Sequence, residues 1–169
     1  MDNTSAGQKD MVGESPEKRL IPYDETEFSN FISKFIGKKH YLANPEKGWD
    51  CVNFLLEVYG HYGCNLPQEI EGITKDNYDY LWRKKRKEAV EIMKKFLFSL
   101  GKPIDPNYAI MGDLIIFEGK EMVFGGIYNW GANVIVVFDK GVFNLPIRFL
   151  KDYIIGARRV IEWDFSQKR

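Results

Sequence analysis

The chain has 169 residues, with 24 acidic and 24 basic side chains and 44% hydrophobic residues. This length and apolar content suffice for one compact domain with a substantial core. The balanced charge gives no reason to expect nucleic-acid binding, and an aromatic content of 15% argues against disorder.

Residues 1–20 are polar and lack the apolar segment of a signal peptide. We expect them to form a flexible arm, followed by a single domain over residues 21–169. No stretch approaches the roughly 20 apolar residues that cross a bilayer, so no membrane partner is expected. These features predict synthesis in the cytoplasm, and an extracellular task would need another vehicle, such as lysis, an injection apparatus or a virion.

A first amphipathic helix is predicted between Asp24 and Gly37. Asp24 and Glu27 have the spacing of a capping box, and apolar side chains recur at helical spacing over residues 28–36. Gly37 is typical of the end of a helix. The loop after it contains His40 and is predicted to run to residue 47.

Cys51 begins the second predicted helix. Residues 48–50, Gly-Trp-Asp, form a short turn, and apolar residues keep helical spacing to about Tyr62, before Gly63. The positive end of a helix lowers the pKa of a thiol, as a nucleophile requires, but a small buried hydrophobic cysteine fits the same pattern. If Cys64 lies on or near the same helix, it is more than three turns away, so both cysteines are predicted to be free thiols, as in a reducing compartment.

A long third helix is predicted over residues 76–100, closed by Gly101. It carries five consecutive basic residues at 83–87. We interpret this run as a solvated helical face balanced by Glu88 and Glu91, with an acidic partner as the alternative.

Short strands are predicted in the last third of the chain, at residues 114–117, 122–130, 134–138, 142–143 and 153–163. Hairpin connections between them indicate an antiparallel meander. The strand at 134–138 is apolar enough to be buried on both faces. Helices followed by a sheet predict the α+β class.

The order of these elements and several local motifs resemble the NlpC/P60 family of papain-like cysteine peptidases, which cut cell-wall peptides. The motifs are Gly-Trp-Asp-Cys at 48–51, Asn-Leu-Pro at 65–67, Gly-Asp-Leu at 112–114, Gly-Ile-Tyr at 126–128, and the strands at 141–142 and 156–160. The resemblance covers residues 28–163. The long insert between Leu66 and Gly112, without a signal peptide, is most similar to members carried in phage tails. The family implies a papain-like fold with N-terminal helices packed on an antiparallel β-meander, and neither a metal nor a cofactor.

Carried onto this chain, the resemblance implies Cys51 as the nucleophile. It also implies that Tyr41, Asp50 and Phe124 contact the substrate. Tyr41 resembles the active-site tyrosine of the family, although His40 replaces the proline that precedes it.

Two positions depart from the pattern of the family. Phe124 stands where the family has its catalytic histidine, and residues 134–137 are aliphatic where the family has the polar residue that orients it. Neither position can accept a proton from the thiol, as a cysteine peptidase requires. His61 lies about 15 Å from Cys51 along the predicted helix, which leaves His40 as the candidate base.

Three functions therefore remain open. The first is a phage-tail or cell-wall protein with a degenerate active site, acting as a binding or assembly module. The second is an active cysteine peptidase that cleaves peptidoglycan peptides with Cys51 and the non-standard base His40. The third is a small cytosolic α+β domain with a structural cysteine. The missing histidine favours the first over the second, and the expected partner is a peptidoglycan peptide or a protein, such as a phage-tail protein.

Overall fold

The computed structural model describes residues 20–166. All but the last residue of the predicted N-terminal arm, residues 1–19, therefore lies outside the described residues. The helices are α1 (Glu25–Ser33), α2 (Cys51–His61), α3 (Tyr78–Lys84) and α4 (Arg86–Ser99). The strands are β1 (Ile21–Pro22), β2 (Glu69–Ile70), β3 (Ile73–Thr74), β4 (Lys102–Ile104), β5 (Leu114–Gly119), β6 (Met122–Asn129), β7 (Asn133–Phe138), β8 (Gly141–Pro146), β9 (Ile154–Arg159) and β10 (Trp163–Asp164). No helix within this range is long and apolar enough to cross a membrane.

The first two helices begin at the aspartates that the sequence indicates. The Asp24 side chain accepts a hydrogen bond of 3.0 Å from the amide of Glu27 and caps α1. This helix ends at Ser33, earlier than predicted, and turns lead to Gly37, whose φ of 83° suits glycine. Helix α2 ends at His61, just before Gly63 with φ 73°.

The predicted third helix is wrong as one element, because it is divided into α3 and α4. The break is at Lys85, with φ −137° and ψ 64°. In a continuous helix the amide of Arg86 would donate to the carbonyl of Trp82; here the Nε of Arg86 donates to that carbonyl at 2.9 Å. The basic run at 83–87 is exposed, as a solvated face predicts.

The main sheet is antiparallel in the order β4-β9-β5-β6-β7-β8. The meander from β5 to β8 is as predicted, but β9 returns to pair with β5, and β4 was not predicted. The segment after α1 already occupies the outer edge of β8. The amide of Gly37 donates to the carbonyl of Val142, and the amide of Val142 donates to the carbonyl of Lys38. Beside β5, Arg159 donates to both carboxylate oxygens of Asp113, at 3.0 and 2.9 Å. The returning strand therefore pairs on the other side of the meander.

Both faces of the sheet are covered. On one face, Ile135 and Val137 pack with the helices in the larger core cluster. On the other face, Val134 and Val136 pack in a second cluster with side chains of the segments before β5 and between β8 and β9. The prediction that this strand is buried on both sides is confirmed. A separate parallel pair joins β1 to β10, with Ile21 opposite Trp163.

Candidate active-site cleft

Asp50 fixes the chain immediately before the thiol. One of its carboxylate oxygens accepts from the backbone amide of Asn53 at 2.9 Å and caps α2. The other accepts from the amide side chain of Asn53 at 3.0 Å and from the backbone of Ala43 at 2.7 Å. Asp50 is 3% exposed, so this carboxylate serves chiefly to join the loop before α2 to its first turn.

Cys51 is the first residue of α2 and contacts strand β6 through its sulfur. Sγ donates to the carbonyl of Gly125 at 3.6 Å and accepts from the amide of the same residue at 3.4 Å. A Cβ at Gly125 would lie 2.7 Å from Cδ1 of Leu114 and 3.0 Å from Cδ2 of Leu97. Glycine therefore allows β6 to approach the helices closely enough to hold the thiol. The prediction that Cys51 begins a helix packed against an antiparallel sheet is confirmed.

The pKa of the Cys51 thiol is raised to about 12. Burial is the main cause; the Gly125 backbone opposes it and the charge of Asp50 adds to it. Of the two alternatives that the position of Cys51 leaves open, this raised pKa favours the small buried cysteine over the reactive thiol. Burial likewise raises the pKa of Cys64 to about 11. Both cysteines are free, as predicted, and both thiols are protonated at neutral pH.

Phe124 occupies the wall beside Cys51. Its ring is 7% exposed, stacks on Phe117 at a centroid distance of 5.0 Å and meets the edge of Phe138 at 5.4 Å. The aliphatic residues 134–137 are buried on the next strand. These side chains pack as apolar core, so neither position supplies an acid or a base.

The structure brings His40 to the cleft but not Tyr41. Residues of the loop pair with Trp49, whose amide donates to Lys39 at 2.8 Å and whose carbonyl accepts from Tyr41 at 3.2 Å. His40 is half-buried and lines the cleft with Cys51, but within residues 20–166 it makes no hydrogen bond to the sulfur. Tyr41 is 42% exposed beneath the ammonium of Lys47 and does not line the cleft.

His61 lies away from the site, as its position on α2 predicts. It ends the helix that Cys51 begins, and its ring stacks on Phe31 at 3.8 Å. Its imidazole is also 4.0 Å from a carboxylate oxygen of Glu27 on α1. His61 therefore belongs to the contact between α1 and α2.

The cleft has a volume of about 500 Å³ and is mostly apolar. One wall comes from the helical insert, which supplies Tyr78, Trp82 and Met93. These three were not identified from the sequence as site residues, because the insert carries no family motif that marks them as part of the site. Within the described residues, no group of three or more His, Cys, Asp or Glu side chains is placed to hold a metal ion.

Tyr78 is the unusual polar group of this wall. It is 8% exposed, and its hydroxyl has no hydrogen-bond partner among the described residues. Burial is the main cause that raises the pKa of its phenol. The charge of Asp50 and the approach of that carboxylate to the hydroxyl raise it further, and the backbone of Ala43 opposes them, but neither approach has the geometry of a hydrogen bond. The cleft therefore offers a neutral thiol and a neutral phenol in an apolar setting.

No protein-family model and no curated protein matches the chain. Several solved structures are similar to the chain. An NlpC/P60 family protein from Bacillus cereus has a TM-score of 0.59 and 20% identity over 84% of this chain and 42% of its own. A lipoprotein-like NLP/P60 protein from Staphylococcus aureus has a TM-score of 0.51 and 24% identity over 86% and 45%. The NlpC/p60 domain of the peptidoglycan hydrolase SagA has a TM-score of 0.54 and 17% identity over 81% and 99%.

This chain thus spans less than half the length of the first two proteins and nearly all of the SagA domain. At these identities the likeness is one of fold. It confirms the predicted α+β, papain-like architecture, with helix α2 packed against the antiparallel sheet.

Proposed function

Because the chain has the NlpC/P60 fold, we propose that it is a binding or assembly module with a degenerate active site. The observation that carries this proposal is the environment of the Cys51 sulfur. Its hydrogen bonds go to the backbone of Gly125, and its pKa is raised to about 12. A thiol in this state is a poor nucleophile, since the thiolate is the reactive form.

The residues around the thiol support the loss of catalysis. Covalent catalysis by cysteine requires a base within hydrogen-bond reach and a polar group that orients the base. Phe124 stands in the first position and the aliphatic residues 134–137 in the second, and all are buried in apolar contacts. Restoring histidine at Phe124 alone therefore leaves the imidazole without an orienting partner.

The apolar cleft is suited to holding a side chain of a peptide. Clefts of about 300–1,000 Å³ with few polar groups are typical binding sites, and the cleft of about 500 Å³ lies in this range. One structural neighbour is described as a peptidoglycan hydrolase, so a peptidoglycan peptide is one ligand that we propose, and a segment of a protein partner is the other. A phage tail is the setting that we propose for a protein partner, with synthesis in the cytoplasm and incorporation into the virion.

A second function is favoured by one observation. His40 lines the same cleft as Cys51. If a substrate drew the imidazole to the sulfur, His40 would serve as the base of an active peptidase that cleaves peptidoglycan peptides. Hydrogen bonds of catalytic groups often tighten only when substrate binds.

Incubation with a peptidoglycan stem peptide tests the two functions. The wild type, Cys51→Ala and His40→Ala are each mixed with the peptide, and products are followed by mass spectrometry. We expect no turnover by any of the three. Turnover by the wild type that disappears in both variants would contradict the proposal and establish the peptidase.

A further inference from the structure

The hydroxyl of Tyr78 lies in a side chain that lines the cleft, and it makes no hydrogen bond within the described residues. This side chain comes from α3, in the helical insert, and its hydroxyl is buried with no partner among residues 20–166. A buried hydroxyl without a partner destabilises a fold by about 1–3 kcal/mol, so such groups are rare and their presence needs a reason. Tyr78 lines the same cleft as Cys51, and a ligand in that cleft would provide the missing partner.

Asp50 determines the charge of that ligand. Its carboxylate lies close enough to Tyr78 to raise the pKa of the phenol, and it is almost fully buried. It already accepts bonds from Ala43 and from both nitrogens of Asn53. An anionic ligand group beside Tyr78 would be repelled by this buried negative charge, so the group that the Tyr78 hydroxyl binds is expected to be neutral.

We propose that Tyr78 binds and orients an uncharged peptide segment by donating its hydroxyl hydrogen to an amide carbonyl of that segment. An apolar side chain of the same segment lies against Phe124 and Phe138 in the cleft wall. The hydroxyl is closed off from solvent in the free protein, so the ligand reaches it after the surrounding side chains separate. This inference rests on the proposed function and names the chemistry of its ligand.

The insert thereby becomes the part of the chain that determines specificity. Phe124 on β6 offers a ligand only an apolar ring. The sulfur of Cys51 on α2 already makes its hydrogen bonds to the backbone of Gly125. Tyr78 supplies a directional bond, which rejects ligands that lack an acceptor at the right place. The proximity of Asp50 rejects ligands that place a carboxylate there.

The test uses Tyr78→Phe in the full chain, with Tyr80→Phe as the matched control. Tyr80 lies on the same helix and is 63% exposed. The probes are N-acetyl-Ala-Phe-Ala-amide, which is neutral, N-acetyl-Ala-Glu-Ala-amide and a peptidoglycan stem peptide, titrated by NMR. We expect the wild type to prefer the neutral probe and Tyr78→Phe to bind it about three- to tenfold more weakly, the loss of one neutral hydrogen bond. Tyr80→Phe should match the wild type.

The melting temperature of the free protein separates binding from structure. Because the Tyr78 hydroxyl has no partner in the free protein, Tyr78→Phe should melt at the wild-type temperature or above it. A lower melting temperature, which is expected if the hydroxyl donates to Asp50, would overturn the proposal. Equal affinity of the wild type and Tyr78→Phe, preference for an acidic probe, or no binding of the neutral probe would also overturn it. Hydrolysis of the stem peptide would contradict the proposal that the active site is degenerate. It would not contradict the proposal that Tyr78 binds the peptide.

Discussion

At the scale of single residues, the Cys51 sulfur lies between two opposing influences. The first turn of a helix favours a thiolate, but the half-buried Cys51 holds its sulfur against the backbone of Gly125, and the charge of Asp50 also disfavours the thiolate. The pKa of the thiol is raised to about 12, and desolvation is the largest cause. Position at a helix start is therefore insufficient to identify a reactive cysteine.

Alkylation compares the two thiols directly. In single-cysteine variants, Cys64→Ala and Cys51→Ala, we expect iodoacetamide at pH 7 to modify both remaining thiols slowly, with Cys51 no faster than Cys64. The reason is that their pKa values are raised to about 12 and about 11. The free thiol of glutathione serves as the reactive control. Modification of Cys51 many times faster than Cys64, at pH 7 or in a repeat at pH 6, would indicate a surviving base.

At the scale of elements, the contact between β6 and the helices determines the position of the site. Gly125 has α2 and α4 against it, and Gly126 has strand β7 against it, where a Cβ would lie 2.6 Å from Cγ2 of Val134. Residues without side chains are needed at both positions because a Cβ would lie too close to these neighbours, and the close approach lets the backbone of Gly125 hydrogen-bond Cys51.

Gly125→Ala tests this close approach. The new methyl group would meet Leu114, Leu97 and Leu55 within 3.1 Å, and overpacking of this kind costs about 1–3 kcal/mol. Gly60→Ala is the control, since Gly60 is a helical residue of α2 with nothing within 4 Å of an added Cβ. Urea denaturation should give a lower midpoint for Gly125→Ala and an unchanged or higher one for Gly60→Ala. Equal midpoints for the two variants would show that β6 can move away from the helices.

Local signals explain which elements were predictable. Asp50 before an apolar periodic run predicted the start of α2, and alternating apolar stretches separated by turns predicted β5 to β8. The break at Lys85 was not predictable, because the residues around it are good helix formers and the carbonyl of Trp82 accepts from a side chain instead.

The site itself was predictable only in part. Cys51 and Phe124 lie on elements with recognisable motifs, so their approach followed from the fold. Tyr78 reaches the cleft because α3 packs on α4 and α4 packs on β6, a long-range contact that leaves no local pattern. The pKa of Cys51 also depends on burial, which the position in a helix does not determine.

At the scale of the whole molecule, three buried phenols and two partly buried thiols link stability to pH. Burial raises the pKa values of Cys51, Cys64, Tyr59, Tyr62 and Tyr78. In the unfolded chain thiols ionise near pH 8.5 and phenols near pH 10. Between these values and the raised ones, the folded protein binds more protons than the unfolded chain. The stabilisation is therefore complete below about pH 8.5 and is lost as the pH rises.

Urea unfolding at pH 7.5, 9 and 10.5 in a reducing buffer measures this linkage. We expect the midpoint to fall steadily with pH, first through the thiols and then through the phenols. In the double variant Cys51→Ala, Cys64→Ala, the decrease between pH 7.5 and 9 should be smaller than in the wild type. A wild-type midpoint that stays constant to pH 10.5 would contradict the burial of these groups.

The parallel pair of β1 and β10 has a mechanical consequence. The amides of Ile21 and Tyr23 donate to the carbonyls of Glu162 and Asp164, at 3.2 and 2.9 Å. Because the two strands run in the same direction, tension applied at residue 20 and residue 166 pulls them along their length in opposite senses. Both hydrogen bonds then bear the load together, as shear, instead of opening one after the other.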